Sequence, residues 1–161
     1  MPHRPYVEAW LAGPDGHSFY TRTYQAPFPK AVAVFVHGFR DHISRHEDVH
    51  AAFARRHVSI FAYDLRGYGR TALDPMNRSP GAAYGKTSRG LEIQDLEWWI
   101  KHVSETNKRL PLFLMGFSGV SPHYPRKETQ SPMHSPPGWW TSVGVPDTHR
   151  TAAVTRNRLA A

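Results

Sequence analysis

The chain has 161 residues and no cysteine, which is length enough for one domain with a real core and excludes disulfides and thiolate metal sites. Its formal charge is +7, but the lysines and arginines are scattered rather than gathered into a stripe that would track phosphates, so nucleic acid is not an expected partner. No apolar run approaches membrane-spanning length and Met1-Pro2-His3-Arg4 leads into no apolar leader, so we expect a cytoplasmic protein whose membrane contact is at most peripheral, at a membrane or lipid droplet.

Val7-Glu8-Ala9-Trp10-Leu11 and Ser18-Phe19-Tyr20-Thr21-Arg22-Thr23-Tyr24 flank Gly13-Pro14-Asp15-Gly16. Two aromatic and β-branched runs around a turn-forming cluster predict an antiparallel hairpin. Ala31-Val32-Ala33-Val34-Phe35-Val36 is a continuous apolar run of the kind found in a strand covered on both faces, and it ends at His37-Gly38-Phe39. A helix is expected over residues 44–57, with Val49, Ala52, Phe53 and Arg56 inward. Val58-Ser59-Ile60-Phe61-Ala62-Tyr63 is a second buried-type strand, leading into Asp64-Leu65-Arg66-Gly67-Tyr68-Gly69-Arg70-Thr71.

A polar loop over residues 72–85 precedes a helix predicted over residues 88–107. There Ile93, Leu96, Ile100 and Val103 recur at three- and four-residue steps, and Trp98 and Trp99 are read as rim and core. Leu110-Pro111 stops it and opens a strand, Leu112-Phe113-Leu114-Met115. Alternating buried strands and amphipathic helices imply right-handed crossovers and a mostly parallel sheet.

Beyond Val120 the texture changes. The remaining 42 residues hold six prolines, many Ser and Thr, and show no helical or strand period. Such a composition does not offset the entropy of ordering it, so the expected organisation is a domain over 1–119 and a disordered, unrelated tail over 120–161.

The chemistry-bearing stretch is Leu112-Phe113-Leu114-Met115-Gly116-Phe117-Ser118-Gly119. An apolar strand that stops at Gly-x-Ser-Gly reads as a nucleophile elbow, a tight strand-to-helix turn that lifts a serine hydroxyl above the sheet edge. With His37-Gly38-Phe39 after the first parallel strand and Asp64–Thr71 after the second, it resembles the α/β-hydrolase superfamily. The nearest branch is that of monoglyceride lipases and serine aminopeptidases, and the likeness covers roughly residues 6–119. The resemblance implies the N-terminal half of an α/β-hydrolase fold: a hairpin, three mostly parallel strands and two crossover helices. It implies ester or monoacylglycerol substrates, no cofactor, Ser118 as nucleophile, and the N–H groups of Phe39 and Gly119 as oxyanion-hole donors. Thr71 stands where the family usually has serine, and the Asp64–Thr71 segment is expected to be a solvated turn with Asp64 and Arg66 paired.

The pattern breaks after the serine. The family continues with glycines into a helix, whereas Val120-Ser121-Pro122 opposes one. The acid and histidine that the family supplies later, in the order Ser, Asp, His, have no counterpart on a strand end. Asp147 and His149 follow in that order but only two residues apart. The expectation is therefore an impaired or inactive hydrolase, because a serine without a base is a poor nucleophile near neutral pH. Two rival readings come from the residues themselves. Left bare, the strand around Leu112, Phe113 and Leu114 would recruit a partner or a second copy. His46-Glu47-Asp48-Val49-His50 matches the zinc-protease helix pattern, with Glu47 as base; no third ligand lies at the usual spacing, and the plainer expectation is a solvent-facing, histidine-rich helix start with no metal.

Overall fold

The computed structural model describes residues 4–117 and 139–142. The hairpin forms as expected: β1 (Val7–Ala12) runs antiparallel to β2 (Ser18–Tyr24), with Val7 opposite Thr23 and Ala12 opposite Ser18. The turn closes through Gly13 N–H to the His17 carbonyl at 2.8 Å, and Gly16 takes φ +76°, a conformation that glycine enters without a Cβ penalty.

β3 (Ala31–Val36), β4 (Val58–Tyr63) and β5 (Leu112–Phe117) are the parallel strands, with β3 in the middle. All six positions of β3 are buried, which is why it reads as an unbroken apolar run. The sheet order is β1-β2-β4-β3-β5-β6, where β6 is Trp139–Ser142 lying antiparallel on β5. Chain reversal at β3 is therefore built in: the connection to β4 goes one way along the sheet and the next connection goes the other.

Alternation of side chains across the pleat divides the core in two. Val32, Val34, Val36, Phe61 and Tyr63 face α3 (Arg89–Thr106), which supplies Leu96, Trp99 and Val103. Ala33, Phe35, Ile60, Ala62 and Met115 face the other way, onto Ile43, Ala51 and Ala54. Those belong to a tight 3-10 turn, Ile43–His46, and to α1 (Glu47–Arg55) that continues from it. α3 starts where the Ser88 side chain accepts from Leu91 N–H, as a capping serine should, and it buries Trp99 while leaving Trp98 at the rim.

Four local expectations change. The first helix is shorter than residues 44–57, and its inward residues are His50, Ala51 and Ala54 rather than Val49, Ala52 and Arg56. The 3-10 turn rotates the helix that follows it, so His46, His50 and Ala54, at four-residue steps, carry the buried stripe. The histidine-rich start is thus not solvent-facing. Next, a short helix α2 (Gly69–Leu73) occupies the segment read as turn and loop. The Asp64–Thr71 segment is not solvated, since residues 64–68 and Thr71 are buried, and Asp64 is not paired with Arg66. Finally, Trp139–Ser142 pairs as a strand although no strand period is visible after Val120, and it occupies the β5 edge expected to be bare. Trp-Trp-Thr has high β propensity, and an unpaired strand edge is a ready template for it.

Candidate functional site at the carboxyl ends of the parallel strands

Register fixes where chemistry can sit. Val36 is paired with Tyr63 on one side and with Gly116 on the other, so the three parallel strands end level with one another. The segments leaving β3 and β4 (37–42 and 64–71) share one rim of the sheet, the rim at which β5 ends with Phe117. The gap between β3 and β5 is the place where successive connections diverge, and open parallel sheets bind ligands in that crevice.

The β3 exit is held from behind by His37, which is fully buried. Its Nδ1 donates to the Gly38 carbonyl at 2.8 Å and its Nε2 accepts the Leu65 N–H at 2.9 Å. Burial keeps the ring neutral, pushing its pKa down to about 4 against the opposing pull of the Gly38 carbonyl. Beyond it the chain turns sharply: Arg40 adopts φ +58° and Phe39 projects outward, 70% exposed. The Phe39 N–H donates to no described residue.

Asp64 ties the neighbouring segment to this loop. One carboxylate oxygen accepts Ile43 N–H at 2.8 Å and the other accepts Arg70 N–H at 2.7 Å, capping α2. Burial pushes the Asp64 carboxyl up, against the pull of those two N–H groups. Gly69 has to be glycine: its φ is +49°, and a Cβ there would run into the Asp64 carboxylate. Thr71 completes the joint, donating to the Asp64 carbonyl at 2.8 Å and accepting Tyr20 N–H at 3.0 Å. Arg66, instead of meeting Asp64, forms paired bonds to buried Asp95 on α3 and to Asp15 in the hairpin turn. The Arg66 hydrogen bonds hold the Asp15 carboxyl down to about 2. Nothing in the sequence signalled this Asp15–Arg66–Asp95 bridge, whose members lie 29 and 51 residues apart.

Of the predicted site residues, Phe39 lies in the loop that leaves β3 at the carboxyl end of the sheet. Ser118 and Gly119 lie outside the described residues, as do Asp147 and His149. Gly116 is described, and a Cβ there would meet only the Val36 carbonyl at 3.8 Å, so nothing among the described residues demands glycine at that point. The zinc-type pattern does not assemble. His46 Nε2 lies 2.6 Å from Asp41 Oδ2, Glu47 accepts from Arg22 at 3.0 Å, and His50 packs on Phe35, so the three side chains are committed in different directions. Among the described residues no three His, Asp or Glu side chains are gathered to hold a metal ion. No described helix is long and apolar enough to cross a membrane.

This arrangement, a hairpin leading into parallel strands whose carboxyl ends lie level on either side of the β3–β5 divide, is the N-terminal part of an α/β-hydrolase. The family model described as serine aminopeptidase, S33, matches residues 27–119, more than half of the chain, and the chain belongs to that family. A Schizosaccharomyces pombe protein named "Putative monoglyceride lipase" is 32% identical over 90 residues, which are 56% of this chain and 22% of that protein. A crystal structure of a soluble variant of monoglyceride lipase from Saccharomyces cerevisiae superposes on 73% of this chain and 38% of its own, with a TM-score of 0.60 and 21% identity. A thermostable carboxyl esterase from Bacillus coagulans superposes with a TM-score of 0.56 and 24% identity, covering 70% of this chain and 36% of its own. The chain thus spans between about a fifth and two fifths of the length of these relatives.

Proposed function

We propose that this chain carries the nucleophile-bearing half of a serine ester hydrolase directed at monoacylglycerol-like lipids, and that its 161 residues alone turn over esters poorly. Ser118 would attack the ester carbonyl, while the N–H groups of Phe39 and Gly119 receive the negative charge that develops on the carbonyl oxygen. Fixed donors of this kind need no reorganisation during reaction, and each is typically worth two to three powers of ten in rate. The observation that carries the reading is the register of Val36 with Gly116, which brings the Phe39 loop level with the residues entering the serine turn. The Phe39 N–H, which donates to no described residue, supports it further.

Poor turnover follows from the proton. A serine hydroxyl needs a base held rigidly by a third group, and after Ser118 this chain offers Asp147 and His149 in the order aspartate, histidine, two positions apart. Two residues so close in sequence do not reproduce an acid and a histidine delivered from separate strand ends. We place its work in the cytoplasm, in peripheral contact with lipid. The test is hydrolysis of a p-nitrophenyl ester and of a monoacylglycerol by the purified chain and by Ser118→Ala. The expected result is a rate near the buffer background and the same in both. Robust turnover that Ser118→Ala abolishes would refute the impairment and leave the nucleophile assignment standing.

A further inference from the structure

The connection between β3 and α1 contains a buried polar chain that ester chemistry does not use. Asp41 and His46 are each 9% exposed and His50 is fully buried. Asp41 accepts His42 N–H through Oδ1 at 2.8 Å and engages His46 Nε2 through Oδ2 at 2.6 Å. The ring of His46 lies 6.0 Å from that of His50, which is wedged edge-on between Phe35 at 4.3 Å and Tyr24 at 5.0 Å. Neither nitrogen of His50 has a hydrogen-bond partner among the described residues. A leucine would fill such a slot without burying two polar atoms, so an imidazole there is a cost that asks for a reason.

We propose that Asp41, His46 and His50 form an acid-released latch: with His50 neutral they hold the Phe39 loop against the sheet, and a proton on His50 frees that loop together with the start of α1 before the rest of the sheet opens.

The surroundings explain why a proton is not tolerated. Facing the cluster are Arg22 and Tyr24 from β2, His37 at the β3 exit, His42 and Arg45 in the turn, Glu47 on α1, and Asp64 after β4. The acids among them are engaged: Asp41 by His46, Glu47 by Arg22, and Asp64 by the N–H groups of Ile43 and Arg70. A charged His50 would meet Phe35, the His46 ring and the nearby Arg22 charge with no acceptor in reach. Burial, then His46 and Arg22, accordingly push its pKa down to about 3. The charge is relieved when α1 swings His50 into water, and α1 draws the loop with it through His46 and Asp41. The buried histidines among the described residues, His37, His46 and His50, all fall between positions 37 and 50, so the opening starts there; half-buried His17, whose pKa burial also lowers, sits in the hairpin turn and is common to wild type and variant. This inference holds whether or not Ser118 is a nucleophile.

Hydrogen exchange of the full chain between pH 7 and pH 4.5, corrected for intrinsic exchange rates, reads the opening directly. In the wild type the 37–50 segment should open at acid pH while residues 89–106 stay protected. His50→Leu should remove one proton from that opening, so that between pH 5.5 and pH 4.5 its opening constant rises about tenfold less than the wild type's. His37 remains in both proteins and cancels from the comparison. If leucine packs too poorly to fold, His50→Phe serves the same measurement. An unchanged pH slope in the variant, or exchange of 37–50 and 89–106 together as one unit, overturns the latch.

Discussion

Helices α1 and α3 cover opposite faces of the same three parallel strands, yet they do so with different materials. α3 presses Leu96, Trp99 and Val103 onto Val32, Val34, Val36, Phe61 and Tyr63. α1 and the turn before it present Ile43, two alanines and the buried imidazoles of His46 and His50 to Ala33, Phe35, Ile60 and Ala62. The strands offer both faces apolar side chains, but α1 brings little apolar area of its own to meet them. What the α1 side gains is polar reach: Asp41, Asp64 and His37 fix the loop that carries Phe39. One face is built for stability; the other spends stability on placing backbone at the rim.

The largest effect should come from the apolar face. Trp99 is fully buried and meets Phe19, Phe61 and Tyr63 at ring separations of 5.5, 5.3 and 5.7 Å. Trp99→Ala should cost about 4 kcal/mol in urea unfolding, the usual loss for a large core aromatic, with no change in acid sensitivity. A loss below about 1 kcal/mol would mean that the α3 face is not the principal core.

Acid should act on the opposite face. His37 and His50 have folded-state values of about 4 and about 3 against an ordinary 6.5. Both values are depressed, so the unfolded chain binds these protons first. The stability they confer is complete above about pH 6.5 and is lost as pH falls toward the folded values. Going from pH 7.5 to pH 5 should cost about 2 kcal/mol for each ring. Urea midpoints of the wild type and His50→Leu across that range check the sign. A variant that loses as much as the wild type would remove His50 from the account.

How much of this was legible beforehand depends on what kind of signal each feature leaves. The strands, the hairpin and α3 were readable because burial on both faces, turn chemistry and a three-to-four-residue stripe are periodic properties of neighbouring residues. The rim was half readable: His37-Gly38-Phe39 marked the end of a buried strand, and the placement of that loop at the rim follows from register. The α1 face was misread because a histidine counts as polar in any periodicity, while a neutral imidazole packs as an aromatic between Phe35 and Tyr24. Asp64 was misassigned to Arg66 for a similar reason. Adjacent opposite charges suggest a pair, but a carboxylate at the end of a buried strand is better satisfied by the orphan N–H groups of the turn and helix that follow. Arg66 then found Asp95, whose position on the inner side of α3 no local pattern discloses.

The smallest effect tests how finely that rim is built. Thr71 is fully buried, and its hydroxyl serves both directions at once, accepting from Tyr20 N–H and donating to the Asp64 carbonyl. Thr71→Val keeps the shape but strands a backbone donor and a backbone acceptor, and should cost about 2 kcal/mol. Thr71→Ser keeps both bonds and loses only a methyl group, so its cost should stay below about 1 kcal/mol. Urea midpoints of the two variants separate the possibilities. Equal losses would show that methyl packing against the β2–β4 seam holds the joint, and that the hydroxyl's two bonds are replaceable by water.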